Sequence, residues 1–323
     1  MPSKAQIPVL DIFPSNPTAA TSLLSALRTH GFVYISAASS LIPPRTLSSL
    51  FSLSASFFAS SQVIKSQHPI TNNRGYSGLR NESLDPARGA DVKETFNLGD
   101  EISLQDLSGV LEERRDELVV FQGECKRLCA VILALLERSL ELRDGWFSER
   151  HYGIGETGSV LRLLHYPPLE RDDGEGEEDE DQDEDVRAGA HSDYGSITLL
   201  FQQMGQPGLQ VRGEDGRWED VEVDPAGEGE VPVLVNIGDL LSHWTGGLLR
   251  STVHRVVFPK GTTRDRYSIA YFCHPLDEVE LIPVPSDVVR RFTEEKGEVD
   301  GNGATLTARD HLLSRLKATY GPK

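Results

Sequence analysis

The chain has 323 residues, 38% hydrophobic and 25% charged, with a formal net charge of −18. Those fractions are ordinary for a globular protein, and the acidic balance argues against nucleic acid as a partner, which needs a basic footprint. No apolar run reaches 18 residues, the first nine residues lack the basic-then-apolar order of a secretory leader, and Cys125, Cys129 and Cys273 have no disulfide spacing, so a cytoplasmic, reducing setting without membrane spans is expected. In chain order, residues 8–12 read as a short strand, and 18–29 as a helix on the spacing of Leu23, Leu24 and Leu27. Gly31 then stops that helix before a strand over 32–35. A second helix is expected over 43–60, a polar turn over 72–78, and a strand over 91–99. The longest periodic segment, 118–142, reads as an amphipathic helix covering something large.

From residue 159 onward the pattern changes to strands: 159–166, 196–202, 209–212, 218–221, 232–237, 251–258, 266–273 and 279–282, divided by Gly, Pro and Asp turns. About eight short strands at that spacing suggest a sandwich or barrel. The expected fold is mostly β with flanking helices, a double-stranded β-helix (jelly roll) core. Its expected divisions are an N-terminal region over 1–150, the β core over 151–285 and a C-terminal helical segment over 286–323. Eleven of the fourteen residues from 172 to 185 are acidic. Such a block repels itself, so a solvated, unstructured loop over 170–186 is expected, without chemistry.

The chemistry concentrates in His191-Ser192-Asp193, which precedes the apolar strand pattern at Ile197. In extended chain, alternate side chains share a face, so an imidazole and a carboxylate two apart can meet one ion. A second histidine, His254, sits in a strand pattern 61 residues after Asp193. Two histidines and one carboxylate on one side of a ferrous ion leave its other side open. The same ligand types would serve a zinc hydrolase, and a core histidine and a loop histidine need never meet. Arg266-Tyr267-Ser268 separates these readings. Arg266 and Ser268, two apart, can clamp a carboxylate, as the distal carboxylate of 2-oxoglutarate requires and zinc hydrolysis does not.

The pattern H-x-D, H, R-x-S, standing here as His191/Asp193, His254 and Arg266/Ser268, resembles the 2-oxoglutarate- and iron(II)-dependent dioxygenases of the isopenicillin N synthase-like family. The likeness covers most of the chain. Within the family it is nearest to the fungal thymine 7-hydroxylase type, on the stretches 161–167, 187–196, 251–257 and 266–272. The resemblance implies iron(II), 2-oxoglutarate and O2. It implies His191, Asp193 and His254 as iron ligands, and Arg266, Ser268 and Tyr166 as cosubstrate binders. Plant members usually have Asn two positions before that tyrosine; here it is Leu164. Arg162, Tyr194 and Phe272 match substrate-pocket positions, where a guanidinium and aromatic rings suit a planar, oxygen-rich molecule. The expected partner is therefore a small molecule, either a pyrimidine base or a fungal polyketide-type metabolite. The expected reaction is oxidation of a C–H bond coupled to 2-oxoglutarate decarboxylation. Two alternatives stay open: oxidation without 2-oxoglutarate, and a non-catalytic jelly-roll binding protein. His165, His243 and His274 read as structural or surface residues, and Trp244 as a turn anchor.

Overall fold

The computed structural model of the protein describes residues 3–85, 87–168, 185–258, 262–297 and 306–320. Alternation along its strands decides the architecture. On Arg266–Cys273, one face carries Arg266, Ser268, Ala270 and Phe272, and the other carries Tyr267, Ile269, Tyr271 and Cys273. Val233–Ile237 divides in the same way into Leu234/Asn236 and Val233/Val235/Ile237, and Ile197–Phe201 into Thr198/Leu200 and Ile197/Leu199/Phe201. In every case the second set joins one hydrophobic cluster, and the apolar members of the first set join or pack on another. The sheet is therefore buried on both faces, which is why its strands read as near-continuous apolar runs.

That sheet has eight strands among the described residues. In spatial order they are Val9–Leu10, Phe32–Ile35, Val233–Ile237, Ile197–Phe201, Arg266–Cys273, Val160–Tyr166, Glu94–Leu98 and Gly75–Ser77. A second sheet runs Ser3–Lys4, Trp218–Asp220, Leu209–Arg212, His254–Phe258 and Asp185–His191. Pairing is antiparallel except for Val9–Leu10 with Phe32–Ile35 and Ser3–Lys4 with Trp218–Asp220. The smaller core lies between the sheets. There Leu164, Leu234 and Ala270 of the first meet Ala188, Leu209 and Val256 of the second. The larger core lies on the outer face, where helices Ala19–Thr29, Pro44–Phe58 and Arg115–Ser139 bury Leu23, Leu27, Phe57, Phe121, Cys125 and Ile132. Most of the burial that opposes chain entropy is thus on the outer face. The inner face can carry polar groups.

Several sequence expectations need correction. Residues 279–282 form no strand; Glu280 makes a single bridge to Thr307. Trp244 stands one residue before the turn at 245–247 and belongs to a helix that the sequence did not show. It ends the helix Asp239–Trp244, fully buried against Trp146 and Phe147. A strand, Asp185–His191, leads into the His-x-Asp pair, so Asp185 and Val186 do not belong to a loop. Asp185 accepts hydrogen bonds from the buried Arg187 guanidinium at 2.6 and 2.7 Å. The rest of the acidic block, and the Pro259-Lys260-Gly261 stretch between two of the expected strands, lie outside the described residues. Cys125, Cys129 and Cys273 are free and buried, and no helix among the described residues is long and apolar enough to cross a membrane.

Three buried histidines are held neutral. Desolvation, with the backbone contact at Phe147 opposing it, pushes His151 down to about 4. His191 and His274 are each pushed down to about 3, by desolvation first and neighbouring histidines second. In the unfolded chain each would take a proton near pH 6.5. Between those values the unfolded state binds more protons, so stability is present above pH 6.5 and is lost as the pH falls. Each histidine contributes at most about 1.4 kcal/mol per pH unit. We expect the metal-free protein's thermal midpoint to drop by more than about 5 °C between pH 7 and pH 5. A flat calorimetric profile over that range would contradict the burial of neutral imidazoles.

Candidate active site

The metal-ligand candidates sit where the inner sheet ends. His254 opens its strand directly opposite His191, the last residue of the neighbouring strand. Their ring centroids are 4.3 Å apart. Beyond His191 the chain turns back toward Ile197, and Asp193 falls on that turn. The turn is held by the backbone: the Asp239 N–H donates to the Asp193 carbonyl at 2.7 Å, and the Gly238 N–H to the Ser196 carbonyl at 3.1 Å. A Cβ on Gly238 would stand 2.2 Å from the Gly195 carbonyl oxygen, and one on Gly195 2.7 Å from that of Cys273. Only glycines permit so close an approach.

One ligand atom from each of His191, Asp193 and His254 lies within 4.8 Å of the other two. The hydrogen bonds decide which atoms are presented. The Nδ1–H of His191 donates to the Gly189 carbonyl at 2.7 Å, and that of His254 to the Thr252 carbonyl at 3.1 Å. Both Nδ1 atoms are thereby committed, and the Nε2 atoms are the ones presented to an ion. The Asp193 Oδ2 accepts from Thr198 Oγ1 and Asn236 Nδ2, each at 2.7 Å. Its Oδ1 is left facing His254 Nε2 at 3.8 Å. Burial pushes the Asp193 carboxyl up, but the imidazoles of His254 and His191 and these two donors outweigh it and hold it below its usual range. The donor set fits a divalent ion bound through two imidazoles and one carboxylate oxygen.

A cavity beside this triad is lined by Arg266, Ser268, Tyr166, Asn236 and Phe272 as well as the three ligand candidates. Arg266 is paired in register with Tyr166, and its guanidinium carbon lies 5.2 Å from that ring. Its Nε–H donates to the Gln206 and Pro207 carbonyls at 3.3 and 3.2 Å. Its Nη1 is buried without a hydrogen-bond partner. An unpartnered buried guanidinium nitrogen is a ready donor to a carboxylate, and the Ser268 hydroxyl shares that cavity. The fit to 2-oxoglutarate therefore rests on an orphaned donor.

A second cavity adjoins the first at His191 and Asp193 and is lined by Arg162, Tyr194 and Phe272. All nine residues singled out in the sequence thus line two connected cavities. Arg162 pairs with Glu82 and donates to Thr95 Oγ1 at 3.1 Å. Tyr194 is covered by Arg315 of the C-terminal helix Ala308–Tyr320, at 5.1 Å. The same helix lays Leu312 and Leu316 over the outer cavity. His165 points away, between Glu94 and Asp265 at 2.8 and 2.6 Å, while His274 is buried at the cleft wall. His243 is exposed.

Sequence reading missed several contributors. Thr198 and Asn236 were visible as polar residues at inward positions of apolar strands. Asp239, which accepts from Ser192 and Ser251 and pairs with Arg315, stood in an assumed turn. Lys93, Asp91 and Glu82, beneath the cleft, carried no motif.

Residues 157–275 match the 2OG-Fe(II) oxygenase superfamily, and residues 7–116 match the non-haem dioxygenase in morphine synthesis N-terminal family. The chain belongs to the 2-oxoglutarate- and iron(II)-dependent oxygenases, and its cofactors are iron(II), 2-oxoglutarate and O2. Among its relatives is the proline hydroxylase buaE of Petromyces alliaceus, 33% identical over 92% of this chain and 92% of that protein. Clavatol oxidase claD of Penicillium crustosum is 29% identical over 97% of this chain and 96% of its own length. The crystal structure of the Neurospora crassa thymine 7-hydroxylase in complex with alpha-KG and thymine superposes with a TM-score of 0.75, at 29% identity over 97% of this chain and 96% of that one.

Proposed function

We propose that this dioxygenase oxidises a C–H bond, a methyl group foremost, of a small planar metabolite such as a pyrimidine base or an aromatic polyketide. The iron is held by His191, Asp193 and His254, and the distal carboxylate of 2-oxoglutarate by Arg266 and Ser268 with Tyr166 beside them. Arg162, Tyr194 and Phe272 face the substrate. The two opposed sheets then form the double-stranded β-helix of a jelly roll. Bound iron(II) supplies the oxidising power, drawn from O2 and 2-oxoglutarate. The chain orients both small molecules, turns the two histidine Nε2 atoms toward the ion and excludes water from the cavity.

One observation carries the reading. A three-donor cluster with a free carboxylate oxygen and an orphaned guanidinium nitrogen share a single cavity. The Neurospora enzyme, crystallised with thymine, supports the pyrimidine arm, and clavatol oxidase the aromatic one. The test is anaerobic loading with iron(II) and 2-oxoglutarate, then admission of O2 with thymine, other 5-substituted uracils and methylated aromatic polyketides. Succinate release should rise at least tenfold with one of them. Oxidation of a compound without succinate would instead favour an oxidase that does not use 2-oxoglutarate.

A further inference from the structure

Beneath the outer cavity lies a buried quartet of charges. Lys93 Nζ meets Asp91 Oδ2 at 2.5 Å and Glu82 Oε2 at 3.2 Å, and Arg162 pairs with Glu82 on the other side. Lys93, Glu82 and Asp91 are all nearly inaccessible to solvent. The four are arranged by sign. Lys93 and Arg162 line the cavity, while Glu82 and Asp91 stand behind them and do not. Two carboxylates that do not line the cavity meet Lys93, and Lys93 itself lines it. The pair that lines the cavity is cationic, yet the quartet as a whole is neutral: two positive charges against two negative.

From this arrangement we infer that Lys93 is a substrate-binding residue. With Arg162 it receives a conjugated carbonyl oxygen of an uncharged planar substrate, and the balanced wall rejects a carboxylate. The inference rests on the outer cavity being the substrate's, as proposed above. A neutral oxygen acceptor gains a charge-assisted hydrogen bond without disturbing the charge balance. A buried carboxylate at the same place would find both cations of the quartet already paired with carboxylates, and desolvation then dominates.

The test is calorimetric titration of the full chain, loaded anaerobically with iron(II) and 2-oxoglutarate and again metal-free. The probes are thymine, 2-hydroxy-4-methylacetophenone and 2-hydroxy-4-methylbenzoate. The last two differ only in acetyl for carboxylate. The neutral probes should bind at least tenfold more tightly than the benzoate. Lys93→Gln with Asp91→Asn removes one charge of each sign and should weaken the neutral probes at least tenfold, while 2-oxoglutarate still binds. Glu82→Gln leaves the wall one charge positive and should raise benzoate affinity at least tenfold. A purely structural lysine would produce neither change. The inference is overturned if the benzoate binds as tightly as the acetophenone, if neither neutral probe binds, or if the Lys93 double variant keeps its affinity. Failure to take up iron(II) and 2-oxoglutarate would strike the metal-site assignment instead, because the metal-free titration reads the wall by itself.

Discussion

Asp193→Ala abolishes iron(II) binding at stoichiometric metal and reduces substrate-dependent succinate release below about 1% of the parent, a loss beyond the roughly 10–100-fold typical of outer-shell changes. The expectation follows from charge. Asp193 is the single carboxylate of the three-donor cluster, beside the imidazole nitrogens of His191 and His254. Removing it also strands two buried donors, Asn236 Nδ2 and Thr198 Oγ1, both at 2.7 Å from its Oδ2. Asn236→Ala is the graded counterpart. It leaves all three ligands and frees the carboxylate to rotate, so iron affinity should fall by about 10–100-fold while saturated turnover survives at high metal. Iron content after gel filtration and succinate by chromatography read both variants. Full activity in Asp193→Ala would remove the ligand assignment.

The two strand faces explain what the sequence disclosed. Period-2 alternation placed Arg266 with Ser268, and the register Arg266 to Tyr166 and Ser268 to Leu164 keeps them on one face, with His165 opposite Tyr267 on the other. His-x-Asp followed by a distant histidine was legible because ligand chemistry needs few residue types. Lys93 was not legible. A lysine in a strand pattern normally marks a solvated face, and only the carboxylates at 82 and 91, brought in by the chain's own turn, make its burial tolerable. The hydrogen bond from the Gly189 N–H to Asp91 Oδ1 at 2.9 Å ties that quartet to the strand that ends in His191. No local pattern announces such a long-range tie.

The helices were read unevenly for a related reason. Periodicity over 25 residues identifies Arg115–Ser139. Asp239–Trp244 is too short to show a period, and its Gly-Asp start mimics a turn. The helix Asp287–Lys296 did carry signals, a Ser286 cap accepting from the Val289 N–H at 3.2 Å and Gly297 in the left-handed region. Its single buried residue, Val289, gives it no wide apolar stripe, so it was legible only as part of the helical segment expected over 286–323.

Arg266→Met should act in opposite directions on the two states of the protein. In the metal-free chain Arg266 is a buried cation with no carboxylate partner among the described residues. Burial pushes its pKa down, and the neighbouring Tyr166 offsets only part of that. Replacing an uncompensated buried charge by an apolar side chain of similar length is neutral or stabilising, by up to roughly 4 kcal/mol. The thermal midpoint without ligand should therefore hold or rise. The same change removes the partner of the 2-oxoglutarate carboxylate, so 2-oxoglutarate affinity should fall at least a hundredfold, in line with the roughly 2–5 kcal/mol lost when one member of a buried charge pair is truncated. The parent, at 2-oxoglutarate a hundredfold above its Kd, should gain about 2.7 kcal/mol of stability. The variant should gain at most about 0.4 kcal/mol at that concentration. Thermal melts with and without 2-oxoglutarate separate the two effects in one experiment. A variant that melts lower alone and still responds to 2-oxoglutarate would mean that the guanidinium serves the fold and not the cosubstrate.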